Sequence, residues 1–153
     1  MEIERKFLVA GDVPSASAEP VEIEQGYLAV ARDGGAEVRL RRRGDETVLT
    51  VKRGEGRTRA EEEVAIDEDG FAALWPMTEG RRLEKTRFVI ADDGLEIELD
   101  VFGGELEGLQ IAEVEFPDER TADAFEPPDW FGAEVTGKPD YLNESLATDG
   151  APR

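Results

Sequence analysis

Leu95-Glu96-Ile97-Glu98-Leu99-Asp100-Val101 alternates an apolar with an acidic side chain at every step. Strict period-two alternation belongs to a β-strand whose two faces meet different surroundings. The preceding Asp92-Asp93-Gly94 is turn chemistry for a tight hairpin. Before it, Lys85-Thr86-Arg87-Phe88 alternates again, now with basic residues. Segments 82–91 and 95–102 therefore read as paired strands. Working outward, alternation predicts further strands over 2–9, 21–30, 36–43, 46–53, 59–66 and 108–116. Arg32-Asp33-Gly34-Gly35 and Gly44-Asp45 close two more turns, and Gly103-Gly104 opens the loop to the last of these strands. Helical patterning marks Asp67–Met77, bent or ended by Pro76, and Asp118–Glu126, stopped by Pro127-Pro128. A short strand near Ala133–Thr136, a short helix around Tyr141–Ala147 and a frayed tail over Thr148–Arg153 complete the chain. The expectation is one domain over residues 1–147 and a disordered tail over 148–153.

Composition narrows the chemistry. The chain has 153 residues, 39% hydrophobic and 36% charged, enough for a core yet very polar. It has no cysteine and no histidine. That excludes disulfides, thiolate zinc sites, cysteine nucleophiles and histidine bases. A metal must be held by oxygen ligands, which favours Mg²⁺ or Mn²⁺. The net charge of −19 disfavours duplex nucleic acid and anionic membranes as partners. With no targeting signal or apolar span, the expected location is the cytoplasm. The oligomeric state is left open as monomer or homodimer. Fourteen of the 18 basic residues are Arg; the four lysines are Lys6, Lys52, Lys85 and Lys138.

The charges gather on one face of nearly every strand. Glu2, Glu4 and Lys6 oppose Ile3 and Phe7. Arg39, Arg41 and Arg43 oppose Val38 and Leu40, and Thr50 and Lys52 oppose Leu49 and Val51. Glu61 and Glu63 oppose Val64 and Ile66, and Lys85 and Arg87 oppose Thr86 and Phe88. Glu113 and Glu115 oppose Val114 and Phe116. Two architectures fit: an apolar interior with charges facing water, or a charged lumen with apolar faces covered from outside. The sorting of acids and bases onto different strands, and a near-neutral balance on these faces, favour the second. Clustered carboxylates suit hard cations, and clustered Arg and Lys suit phosphate oxygens.

At this point the chain resembles the CYTH superfamily, the triphosphate tunnel metalloenzymes. Glu2-Ile3-Glu4-Arg5-Lys6 matches its ExExK signature. Arg39-Leu40-Arg41, Thr50-Val51-Lys52, Glu61-Glu62-Glu63 and Lys85-Thr86-Arg87 look like its RxR, TxK, ExE and KxR strands, in order. Asp100-Val101-Phe102 and Glu113-Val114-Glu115-Phe116 look like its paired acidic strands, and Thr136-Gly137-Lys138-Pro139-Asp140-Tyr141-Leu142-Asn143 like its closing element. The resemblance implies an α+β, mainly β fold: a closed or nearly closed eight-stranded antiparallel barrel with a charged lumen and a few short helices outside. It implies Mg²⁺- or Mn²⁺-dependent chemistry on a small-molecule triphosphate, with one or two ions. Gln25-Gly26-Tyr27 draws the chain toward the tripolyphosphatases. Thiamine triphosphatase, adenylyl cyclase and a non-catalytic polyphosphate- or nucleotide-binding module remain alternatives.

The same resemblance assigns roles. Glu2, Glu4 and Glu115 hold metal, with Glu113 or Asp100 completing the site. Lys6, Arg39, Arg41, Lys52, Lys85 and Arg87 grip phosphate, and Lys138 closes one mouth with Tyr141 and Asn143 beneath it. Glu61 and Glu63 hold a second metal or the attacking water. Tyr27 projects into the lumen and orients Lys85 near the scissile phosphate.

Overall fold

The computed structural model describes residues 3–30, 35–55 and 58–152, and these build one antiparallel sheet of nine strands. The strands are β1 (Ile3–Val9), β2 (Val21–Ala29), β3 (Ala36–Arg43), β4 (Glu46–Glu55), β5 (Thr58–Ala65), β6 (Arg82–Asp92), β7 (Leu95–Phe102), β8 (Gln110–Phe116) and β9 (Phe131–Glu134). Three short helices accompany them: α1 (Glu68–Leu74), α2 (Glu119–Ala124) and α3 (Asn143–Asp149). Among the described residues no helix is long and apolar enough to cross a membrane. At the β6–β7 hairpin both central residues have positive φ, Asp93 at 47° and Gly94 at 81°. That is the type I′ conformation that the Asp-Gly pair favours. The predicted turn at Arg32-Asp33-Gly34 lies outside the described residues.

The strand order is β5-β4-β3-β2-β6-β7-β8-β1-β9. The ninth strand is the short one expected near Ala133–Thr136, found at Phe131–Glu134. The expected closure of the barrel is not seen: among the described residues the sheet is open, with β5 and β9 as its edges. The physical reason is visible at β1. Its free edge, which closure would have to use, is already paired with β9 through Phe7↔Glu134 and Val9↔Phe131. The other edge, β5, carries Glu61, Glu62 and Glu63 in succession, and charge on an edge strand discourages further pairing.

Two apolar clusters flank the sheet. The larger lies on the face of Phe7, Ile97, Leu99, Val114 and Phe116, where Ala122 of α2, Trp130 just before β9 and Phe131 of β9 cover it. The Phe7 and Phe131 rings meet at 4.8 Å between centroids. This is the face predicted to be apolar, and it is covered from outside. Further along, Asp67 caps α1 by accepting from Gly70 N at 2.7 Å, and Phe71 stacks on Trp75 at 5.1 Å. As expected of Pro76, the α-helix ends just before it, at Leu74, and the chain passes into a 3₁₀ turn over Trp75–Thr78.

The smaller cluster sits on the opposite, charged face: Tyr27, Leu83, Phe102, Leu106 and Ile111 packed by Leu146 and Ala147 of α3. The chain therefore folds its last helix back onto the charged face and shuts one end of it with apolar contact. Helix α3 continues past Ala147 to Asp149, so the predicted tail boundary at Thr148 is too early. Gly150, with φ of 80°, ends the helix.

Candidate active site

Cross-strand register gathers the charged positions onto one continuous face. Glu4 pairs Glu115 and Lys6 pairs Glu113 between β1 and β8. Glu113 pairs Glu98 on β7, and Arg87 on β6 pairs Asp100. On the other flank Tyr27 pairs Arg39, Gln25 pairs Arg41, Arg39 pairs Thr50, and Thr50 pairs Glu63. Each partner points to the same side because antiparallel neighbours in register share a face. On this side, long charged side chains from non-adjacent strands come within electrostatic reach of one another. Arg41 on β3 feels the charge of Arg87, and Lys85 feels Glu113, in each case across an intervening strand. The charged face is thus the wall of a cleft, plugged at one end by α3.

The deepest ionic group is a knot of three side chains. Lys85 is only 4% exposed, and its Nζ lies 2.8 Å from Asp100 Oδ2. Arg87 donates from Nε to Asp100 Oδ1 at 2.8 Å and from a terminal nitrogen to Oδ2 at 3.0 Å. Its other terminal nitrogen pairs with Glu98 at 2.7 Å. The Lys85 ammonium also stands 5.5 Å from the centre of the Phe102 ring. Burial holds the Lys85 ammonium below the usual lysine range, against the pull of Asp100. Burial alone would push Asp100 up, but the hydrogen bond from Arg87 and the Lys85 charge outweigh it and hold the carboxyl down. Both Asp100 oxygens are thus committed to cations. In this structure it is the counter-ion of two phosphate-binding candidates.

The carboxylates of β1 and β8 behave differently. Burial, then contact with Glu4, pushes the half-buried Glu113 carboxyl up to about 7. Two like charges are being held side by side with too little cation to balance them. Glu115 lies opposite Glu4 and is exposed. Glu2 lies outside the described residues. Among the described residues no three carboxylates stand close enough to form a metal cage by themselves. Two facing carboxylates do fit a hard cation that takes its remaining ligands from water and phosphate oxygens, as Mg²⁺ commonly does.

Across the cleft, three buried polar atoms of the basic wall lack partners. Arg39 Nε, Arg41 Nε and Thr50 Oγ1 are buried without a hydrogen-bond partner. Arg41 reaches Glu63 only at 3.5 Å. Burial and the neighbouring Arg39 charge lower the Arg41 pKa. Buried donors are normally satisfied, so this wall is shaped for acceptors that an anion would bring. Lys52 pairs Glu37 and Glu61 in register. Burial, then Glu144 on α3, raises the half-buried Glu37 carboxyl.

The remaining predicted positions are less drawn in. Glu61 and Glu63 are exposed on the edge strand β5, separated from β1 by six strands along the sheet. Lys138 is exposed and precedes a 3₁₀ turn over Pro139–Tyr141; Tyr141 packs against the α3 cluster, and Asn143 opens α3. Tyr27 does enter the charged face, but its hydroxyl accepts from Gln25 Nε2 at 2.8 Å, while Lys85 is held by Asp100. Tyr27 is thus paired with Gln25, and Lys85 with Asp100. Sequence reasoning missed Gln25 and Glu37 as members of the site. Both lie two residues from a predicted member, on the same face, and the alternation alone could have found them.

A family profile for the CYTH domain matches residues 1–145. A protein of Nitrosomonas europaea named inorganic triphosphatase is 50% identical over 147 residues, covering 95% of this chain and 96% of the relative. Another of that name, from Acetivibrio thermocellus, is 42% identical over 148 residues, covering 95% and 92%. A crystal structure of an inorganic triphosphatase superposes with a TM-score of 0.83 at 46% identity, covering 99% of this chain and 97% of the other. A Hippeastrum protein described as an adenylyl cyclase with dominant triphosphatase activity shares the fold at a TM-score of 0.53 and 15% identity, covering 80% and 83%.

Proposed function

The chain belongs to the CYTH domain family, and on that premise we propose that it is a triphosphate hydrolase whose substrate is inorganic tripolyphosphate, cleaved to pyrophosphate and phosphate. The observation that carries this reading is the basic wall. Two buried guanidinium Nε atoms and one buried hydroxyl lack partners, and all face the same cleft as a strained carboxylate pair. A metal-bound polyphosphate supplies what both flanks lack.

In this reading Arg39, Arg41, Lys6, Lys52 and Arg87 hold phosphate oxygens, the arginines through paired N–H donors and the lysines as point charges. Glu4, Glu113 and Glu115 hold Mg²⁺ or Mn²⁺, with Glu2 assigned to the same set from the sequence. Such an ion, when bound, neutralises phosphate charge and polarises the phosphoryl group. Lys85 is presented by Asp100 as a fixed, desolvated cation toward the charge that develops on the leaving phosphate. A cation pinned in advance needs no reorganisation during the reaction, which is why such groups lower barriers. Tyr27 completes this end of the cleft beside Arg39. Glu61 and Glu63 offer carboxylates at the open edge, where water enters.

Phosphate release from tripolyphosphate, ATP and thiamine triphosphate, each with Mg²⁺ or Mn²⁺, tests the reading, alongside an assay for cyclic AMP. Turnover of tripolyphosphate above the two organic triphosphates is expected. Tight metal-dependent binding with no turnover of any substrate would instead make the chain a binding module.

A further inference from the structure

Gln25 is 1% exposed, yet it is polar and sits on the charged face. Its register partners are Arg41 on β3 and Leu83 on β6, so it lies under the basic wall at the edge of the apolar plug. Its Nε2 donates to Tyr27 Oη at 2.8 Å, a side-chain bond between residues two apart on one strand. Tyr27 is itself 2% exposed, with Arg39 as its register partner and a nearby positive charge. The phenol oxygen therefore has an N–H on one side and a guanidinium on another. Neither of these two neighbours can accept the phenol proton from the atom it presents, because an amide N–H and a guanidinium are donors only; the Glu37 carboxylate, whose charge also reaches Tyr27, is the register partner of Lys52. Burial pushes the phenol up to about 12, so the proton stays on the oxygen at neutral pH.

We infer that Gln25 is a positioning residue: by filling an acceptor site of the Tyr27 hydroxyl it turns that hydroxyl's proton into the cleft, making Tyr27 a hydrogen-bond donor to an oxygen of the bound polyphosphate. This rests on the triphosphatase reading and deepens it. Tyr27 acts as a neutral donor beside the cations, not as a base and not as the support of Lys85. The arrangement needs a side chain of Gln length at 25. A shorter amide would not reach Oη, and a carboxylate would take the proton for itself.

The test is a set of variants, Gln25→Leu, Gln25→Glu, Tyr27→Phe and Gln25→Leu/Tyr27→Phe. Each is assayed for kcat/KM on tripolyphosphate and, by calorimetry, for tripolyphosphate affinity with Mg²⁺ present. Losing one hydrogen bond to a charged acceptor predicts a fall of roughly 10- to 100-fold in kcat/KM for Tyr27→Phe. Gln25→Leu is expected to fall comparably, and the double variant no further than Tyr27→Phe alone. Gln25→Glu is expected to fall as far as Gln25→Leu despite its matching shape. The Gln25 side-chain amide protons, followed by NMR, should shift in Tyr27→Phe whether or not the enzyme turns over. Full activity in Gln25→Glu would mean that Tyr27 gives its proton to position 25, and would overturn the inference. So would losses that multiply in the double variant. A wild-type protein that binds tripolyphosphate without cleaving it would sink the hydrolase reading alone, since the affinities and the amide signal would still decide the role of Gln25.

Discussion

Replacing Asp100 with Asn isolates the ionic knot at the closed end of the cleft. The two side chains are nearly isosteric, so packing is preserved while one negative charge is removed. Arg87 keeps its 2.7 Å pair with Glu98. Lys85, at 4% exposure, is left with only the more distant charge of Glu113. Removing one partner of a buried ion pair costs about 3–5 kcal/mol, because the other charge stays desolvated. For a chain of this size each kcal/mol moves Tm by about 2–4 °C, so a drop of roughly 6–20 °C is expected. The assay is thermal unfolding by calorimetry at pH 7, with far-UV dichroism to confirm the fold. Asp100 also sets an acid limb. Its folded pKa is depressed, so the stability it contributes is fully present above the unfolded value of about 3.9 and is lost as pH falls through the lower folded value. Wild type and variant should therefore converge as the pH falls through that lowered folded value. A second change, Lys85→Met, removes the orphaned charge and should restore part of the lost Tm in the Asp100→Asn background. If the double variant is no more stable than Asp100→Asn alone, uncompensated charge is not the cause and the reasoning fails.

Arg39→Ala and Arg41→Ala should each lower kcat/KM for tripolyphosphate by about 10- to 100-fold, the size of a charge-assisted hydrogen bond, with little change in Tm. Measured stability gains instead would show that burial strain, not substrate binding, dominates at these Nε positions. Glu113 has a folded pKa raised to about 7, so its contribution to the metal-free protein is present below the unfolded value and fades as pH rises through about 7. The metal-free Tm should fall across that window, Glu113→Gln should flatten the slope, and adding Mg²⁺ should raise Tm most at its upper end; a slope unchanged by Glu113→Gln would refute this. Gly26→Ala places a Cβ 2.6 Å from Thr78 Oγ1, in a fully buried position. Overpacking of this kind costs about 1–3 kcal/mol, so Tm should drop by several degrees while kcat holds.

Much of the site was legible in the chain because a strand's side-chain period is local. Glu4, Lys6, Arg39, Arg41, Lys52, Lys85, Arg87, Glu113 and Glu115 were assigned to one face by counting in twos, and the register puts them there. The same count held the other face apolar, and Phe7, Ile97, Leu99 and Val114 form the larger core. Partnership was another matter. Asp100 and Glu113 lie on the same face of neighbouring strands and look alike as acids. One is neutralised by Lys85 and Arg87, while the other is crowded by Glu4.

The residues alone determined the alternation, the sign of charge on each strand and the family, since each depends only on side-chain identity and near neighbours. Tertiary structure decided which strands become neighbours: β9 takes the free edge of β1, and among the described residues no pairing joins β5 to β9. It also decided that α3 seals one end of the charged face and that Gln25 meets Tyr27 beneath the arginines. Curvature and register are set by contacts between segments far apart in the chain, and burial follows from them. Whether a charge is satisfied, strained or orphaned is a property of that enclosure, not of the strand that carries it.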